Sequence, residues 1–144
     1  MTSFFSAKLL KILRRKKISK YRILRYNKRK KEDSKLNVIH FVEDKVLVFE
    51  ITEELDHHIS EIIRRRIDYE IQRFMPKRVI LDFNRVVFMD SAGVGLVIGR
   101  YKTACSYGTK IEMTNVNPKI KRVFEMAGIL KIIPIIEEPK IANI

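Results

Sequence analysis

The sequence predicts an α/β domain in which a mixed sheet of four to five strands packs with three helices, and three observations carry that prediction. From Leu36 onward the apolar residues switch repeatedly between the two-residue period of a strand and the 3.6-residue period of a helix. Within that stretch Val79-Ile80-Leu81 is an unbroken apolar run, as expected of a central strand covered on both faces. Charge then separates the domain from what precedes it. The chain has 144 residues and a net charge of +13, yet residues 1–35 hold 14 Lys or Arg against only Glu32 and Asp33, and the rest is close to neutral.

The elements follow in order. Leu36 to Val42 and Val46 to Ile51 are rich in Val, Ile and Phe and read as a hairpin turning at Glu43-Asp44. Asp56 can cap a helix running to Phe74, with Ile59, Ile62, Ile63, Ile67, Ile71 and Phe74 on one face and Pro76 as its stop. Arg78 to Phe83 is the central strand. After a loop over residues 84–90, a second helix is expected from Ala92 to Tyr107, with Val94, Val97, Ile98, Tyr101 and Cys105 as its apolar stripe and Gly108 at its end. Gly93, Gly95 and Gly99 in this helix are expected to let it lie close to the sheet. Lys110 to Thr114 makes a further strand. Asn117 and Pro118 supply a cap and a first-turn proline, Ile120, Val123, Phe124 and Ala127 the apolar face, and Gly128 the terminus. Leu130 to Ile136 reads as a last strand, which Pro134 confines to an edge.

Two regions result: a basic extension over residues 1–35 and a domain over residues 36–144. The extension is read as disordered or at best a basic amphipathic helix. It could be a tail that binds nucleic acid by counterion release, a membrane-surface helix using Leu9, Ile12 and Leu13, or inert sequence translated from a misplaced start. No basic-aromatic pattern beyond Tyr21 and Tyr26 favours direct DNA binding. No secretory signal precedes Lys35, and the apolar stretch from Val86 to Gly99 is broken by Asp90, so neither export nor a membrane span is expected. Cys105 is the single cysteine, which excludes an internal disulfide and fits a cytoplasmic location; it reads as a packed core residue.

Enzyme chemistry finds no foothold. A nucleophile elbow at Ser91 would need glycine two residues before it, where Met89 stands. His57 and His58 belong to the exposed first turn of a helix, and with His40 they show no metal-ligand spacing. The glycines after Ser91 lack the Lys-Ser or Lys-Thr of a phosphate loop. No cofactor or metal is expected. What stands out is Ser91 where a loop enters a helix, with Asp90 before it and Ala92-Gly93 after it, small residues that leave room for another protein. Asp90 or Ser91 can serve as the N-cap.

Four segments in this order and spacing resemble a known family. Leu55-Asp56-His57-His58, Phe88-Met89-Asp90-Ser91-Ala92-Gly93-Val94-Gly95, Gly99-Arg100-Tyr101-Lys102 and Lys121-Arg122-Val123-Phe124-Glu125-Met126-Ala127-Gly128 are similar to those of anti-sigma factor antagonists, which have the STAS fold, in particular the stage II sporulation protein AA subgroup. The resemblance implies a non-enzymatic partner protein. Its unphosphorylated form would bind an anti-sigma factor that is also a serine kinase and release the sigma factor. That kinase would phosphorylate Ser91, and a PP2C-type phosphatase would reverse the modification. Asp56, Asp90, Ser91, Ala92, Gly93 and Val94 are the expected partner-binding residues. Two departures stand: Ala92 replaces the family's usual second serine or threonine, and Glu53 replaces a common glycine. A STAS module acting as a constitutive partner in a transport or sensory complex, never phosphorylated, is the alternative reading.

Overall fold

The computed structural model describes residues 23–25 and 36–136, Glu53 excepted. Its sheet has six strands lying side by side in chain order: β1 (Ile23–Arg25), β2 (Leu36–Phe41), β3 (Val46–Ile51), β4 (Arg78–Asp82), β5 (Lys110–Thr114) and β6 (Ile135–Ile136). The first two pairings are antiparallel and the remaining three parallel, so the sheet is mixed. Three helices connect the parallel strands: α1 (His57–Phe74), α2 (Ser91–Ser106) and α3 (Pro118–Met126).

The hairpin of β2 and β3 turns through residues 42–45, with Lys45 in the left-handed region at φ 57°. Helix α1 starts where expected, on an Asp56 carboxylate that accepts from the Ile59 amide at 2.8 Å. It ends on Met75, whose left-handed backbone donates back to the Ile71 carbonyl, and Pro76 follows. Asn117 caps α3 by accepting from the Ile120 amide. Gly108 and Gly128 both have positive φ, which a side chain would resist.

The main core lies between one sheet face and the helices. Ile63, Ile67 and Ile71 of α1, Leu96, Val97 and Ala104 of α2, and Ile120 and Phe124 of α3 pack there on Leu47, Phe49, Val79, Leu81, Ile111 and Met113. Ile80 points the other way and is also fully buried, as the unbroken run in β4 implies.

Three expectations are corrected. Residues 130–136 do not form one strand: Ile129–Lys131 is a 3-10 turn, and only Ile135–Ile136 pairs, at the sheet edge. Pro134 has no amide hydrogen to donate, so pairing begins after it. On α2 the stripe is turned from the expected one, with Gly93, Leu96, Val97, Arg100 and Ala104 buried, Val94, Ile98 and Tyr101 half-buried, and Cys105 exposed. The physical reason is Arg100, a charged residue drawn inward by Asp68 of α1. Finally, only Gly93 of the three α2 glycines is closely approached; Gly95 and Gly99 face open space. Upstream, Ile23–Arg25 pairs with β2, so this part of the basic extension belongs to the sheet. The other expectations for residues 1–35, and the turn at Glu53, lie outside the described residues.

Candidate functional site

Parallel strands release their following helices at one end of the sheet, where two helix N-termini come together. Strand β3 leads to Leu55 and the Asp56 cap of α1; β4 leads through a loop to Met89 and the Asp90 cap of α2. Leu55 and Met89 pair as an isolated parallel bridge, and the Asp90 amide donates to the Leu55 carbonyl at 3.4 Å. Asp56 and Asp90 therefore occupy equivalent places, each one residue beyond the bridge.

Gly93 makes this junction possible. A Cβ there would sit 2.3 Å from Met89 Cγ and 3.1 Å from Leu55 Cβ. Gly93 is thus buried under the bridge and positions the first turn of α2. Ser91 is the first residue of α2 and is exposed. Capping falls to Asp90, whose Oδ1 accepts from the Ala92 amide at 2.8 Å and the Gly93 amide at 3.4 Å. Asp56 is exposed, and Asp90, Ala92 and Val94 are half-buried. His57 and His58 are exposed in the first turn of α1.

The loop before Ser91 is held from below. Phe83 meets Phe124 of α3 edge-on at 5.5 Å, Val86 is buried, and the Asn117 side-chain amide donates to the Val86 carbonyl at 3.0 Å. Asn117 thus caps α3 and anchors the Ser91 loop at once. Pinning Val86 inward turns Val87 and Phe88 outward, 63% and 50% exposed. These two apolar residues beside Ser91 were not singled out from sequence, although four consecutive apolar residues from Val86 to Met89 in a loop cannot all turn inward.

Two charged sites brace the junction. Burial pushes the Asp82 carboxyl above its ordinary range, against the Asn115 side-chain amide and the Asn84 amide that both donate to it. Arg100 of α2 approaches Asp68 of α1 at 2.9 Å, without hydrogen-bond alignment. Burial raises the Asp68 carboxyl and lowers the Arg100 guanidinium, each opposed by the other's charge. His40, weighed above as a metal ligand, instead contacts Glu70 at 2.8 Å. Among the described residues no three His, Cys, Asp or Glu side chains converge as metal ligands. No described helix is long and apolar enough to cross a membrane.

Residues 40–142 match the STAS domain family model. The chain belongs to the STAS family. Within that family it is similar to the anti-sigma F factor antagonist of Paenibacillus polymyxa, at 39% identity over 90 residues covering 62% of this chain and 77% of that protein. The anti-sigma F factor antagonist of Lysinibacillus sphaericus is 32% identical over 91 residues, covering 63% and 78%. Among solved structures, the anti-sigma factor antagonist SpoIIAA in its unphosphorylated form superposes with a TM-score of 0.58 at 28% identity, over 73% of this chain and 90% of that one. SpoIIAA in its phosphorylated form gives 0.58 at 30%, over 73% and 92%. This STAS protein is therefore an anti-sigma factor antagonist of the SpoIIAA type.

Proposed function

We propose that the unphosphorylated protein binds an anti-sigma factor that is also a serine kinase, so that the sigma factor is released, and that the kinase ends the interaction by phosphorylating Ser91. A PP2C-type phosphatase restores the binding form. The carrying observation is the division of labour at the start of α2: Asp90 does the capping, which leaves the exposed Ser91 hydroxyl outside the cap. A phosphate can be added there without cost to the helix.

The chemistry of the switch is local. Phosphorylation adds about 1.5–2 negative charges beside Asp90 and across the bridge from Asp56. The positive end of the α2 dipole favours that charge by about 0.3–1 kcal/mol, so the fold tolerates it. At an interface, the same group must be desolvated next to the apolar Val87 and Phe88. Weakening binding a hundredfold takes about 2.8 kcal/mol, within reach of one buried, uncompensated charge. Ala92 leaves Ser91 without a neighbouring hydroxyl to accept phosphate in its place.

The reading is tested by intact mass after incubation with the cognate anti-sigma kinase and ATP. A gain of one phosphoryl group, absent in Ser91→Ala, is expected, and Ser91→Asp should bind the kinase at least tenfold more weakly than the parent. An unchanged mass together with tight binding by Ser91→Asp would leave a constitutive interaction module instead.

A further inference from the structure

Strands β3, β4 and β5 all begin at the end of the sheet remote from Ser91, and the segments leading into them, residues 42–45, 75–77 and 107–110, lie side by side. The Lys45 carbonyl accepts from the Lys77 amide at 2.7 Å, and the Lys77 carbonyl from the Lys110 amide at 2.9 Å. Lys45, Lys77 and Lys110 thus stand in a row across neighbouring strands, and all are exposed. Each segment also exposes one large apolar or aromatic residue: Val42 at 38%, Met75 at 52% and Tyr107 at 36%. Lys45 sits over the Phe74 ring at 5.0 Å, which ties the hairpin to the end of α1. Arg73, in the last turn of α1, adds a fourth exposed cation, while the acids of these segments are Glu43 and Asp44, both in the hairpin. The backbone makes two of these side chains costly. Lys45 and Met75 have φ of 57° and 51°, in the left-handed region that glycine prefers and that Gly108 occupies in the third segment. Folding alone would favour glycine at both places, and a half-exposed Met75 adds little to the core.

We propose that this end of the sheet docks on the surface of an anionic lipid bilayer, with Val42, Met75 and Tyr107 entering the headgroup boundary and Lys45, Lys77 and Lys110 on the lipid phosphates. One apolar side chain and one lysine in each of three adjacent segments match a surface that is negatively charged at its boundary and apolar just beneath it. Each lysine held near an anionic leaflet is worth about a fivefold gain in affinity. A single nucleic-acid strand fits less well, because Val42 and Met75 offer no ring on which a base could stack. The contact also leaves the Ser91 site free. Strand β4 separates the two ends by about 17 Å, so a protein resting on the bilayer by its lysines presents Ser91 to the aqueous side. Binding to a kinase and binding to a bilayer then use opposite ends of one domain.

The chain has no tryptophan, so Met75→Trp in the full chain places a single fluorophore at the proposed contact, and Val87→Trp places one at the Ser91 end. With vesicles of phosphatidylcholine and phosphatidylserine in equal parts, the Met75→Trp emission should shift to the blue and the Val87→Trp emission should not. Pure phosphatidylcholine should shift neither. In vesicle co-sedimentation the double variant Lys77→Glu and Lys110→Glu should bind at least about thirtyfold more weakly than the parent. Met75→Gly should also bind more weakly while its Tm stays at or above that of the parent, because glycine suits the left-handed backbone. Both variants retain residues 1–35, so vesicle binding that survives the two lysine reversals would assign the contact to the basic extension and overturn the proposal. An equal shift in Val87→Trp, a Met75→Trp shift with pure phosphatidylcholine, or one produced by single-stranded RNA and not by the mixed vesicles, would overturn it too.

Discussion

Gly93→Ala isolates what holds the two helix N-termini together. The added methyl carbon would lie 2.3 Å from Met89 Cγ, 3.0 Å from Met89 Sδ and 3.1 Å from Leu55 Cβ. Met89 can turn aside, but Leu55 Cβ is fixed to a backbone paired with Met89, so the first turn of α2 has to lift away from the bridge. Overpacking of this kind costs about 1–3 kcal/mol. Against it stands the helix-propensity gain of Gly to Ala, at most about 1 kcal/mol. Gly95→Ala is the control, because it makes the same chemical change in the same helix with nothing within 4 Å of the new atom. The difference between the two variants is thus the clash itself, about 1–3 kcal/mol, or about 4–20 °C in Tm for a domain near this size. Urea unfolding with an unchanged slope reads it directly. Met89→Ala should cost less stability in the Gly93→Ala background than in the parent, giving a favourable coupling between the two sites. Equal stability of Gly93→Ala and Gly95→Ala would refute the account of the junction.

Asp90→Ala removes the acceptor for two amides and should lower stability by about 0.5–2 kcal/mol, with Asp90→Asn close to the parent, both measured by urea unfolding. Asn117→Ala loses the α3 cap and the tether to Val86 together; a stability loss of about 1–3 kcal/mol is expected, with faster amide exchange in residues 84–90 by NMR. Burial alone would raise the Glu70 carboxyl, but the His40 hydrogen bond and the Arg66 and Arg73 charges override it and hold the carboxyl below its ordinary range. A carboxyl lower in the folded than in the unfolded chain contributes stability above the unfolded value, and that contribution is lost as pH falls through the folded one. Thermal unfolding across the acid range should therefore show a shallower loss of Tm in Glu70→Gln than in the parent.

Much of the fold could be read along the chain because its signals are local. Asp56 and Asn117 cap their helices through amides three residues on, Gly108 and Gly128 take up the positive φ that glycine tolerates, and Pro76 follows the end of α1. The strands beneath the helices were equally legible in the runs of β3 and β4, where both faces are buried. The misread places are those where local pattern meets a distant partner. Residues 130–136 have the composition of a strand, but chain reversal after Gly128 consumes Ile129–Lys131 in a 3-10 turn. Cys105 falls on an apolar period that α2 does not follow, because the helix is rotated to bring Arg100 to Asp68.

The site divides in the same way. Ser91 at a helix start beside an acid was visible from sequence, since an N-cap and its neighbours lie within a few residues. That Gly93 is the residue on which Leu55 closes, and that Val87 and Phe88 turn outward while Val86 is tied to Asn117, depend on contacts spanning 31 to 38 positions in the chain. The sequence by itself determined the order of the elements, their caps and the candidate serine, because helix and strand periods and capping hydrogen bonds act between near neighbours. Only the tertiary structure decided which glycine is closely packed, which apolar residues of the Ser91 loop are exposed and which sheet face the described helices cover, because packing and crossover handedness act between residues far apart in the chain.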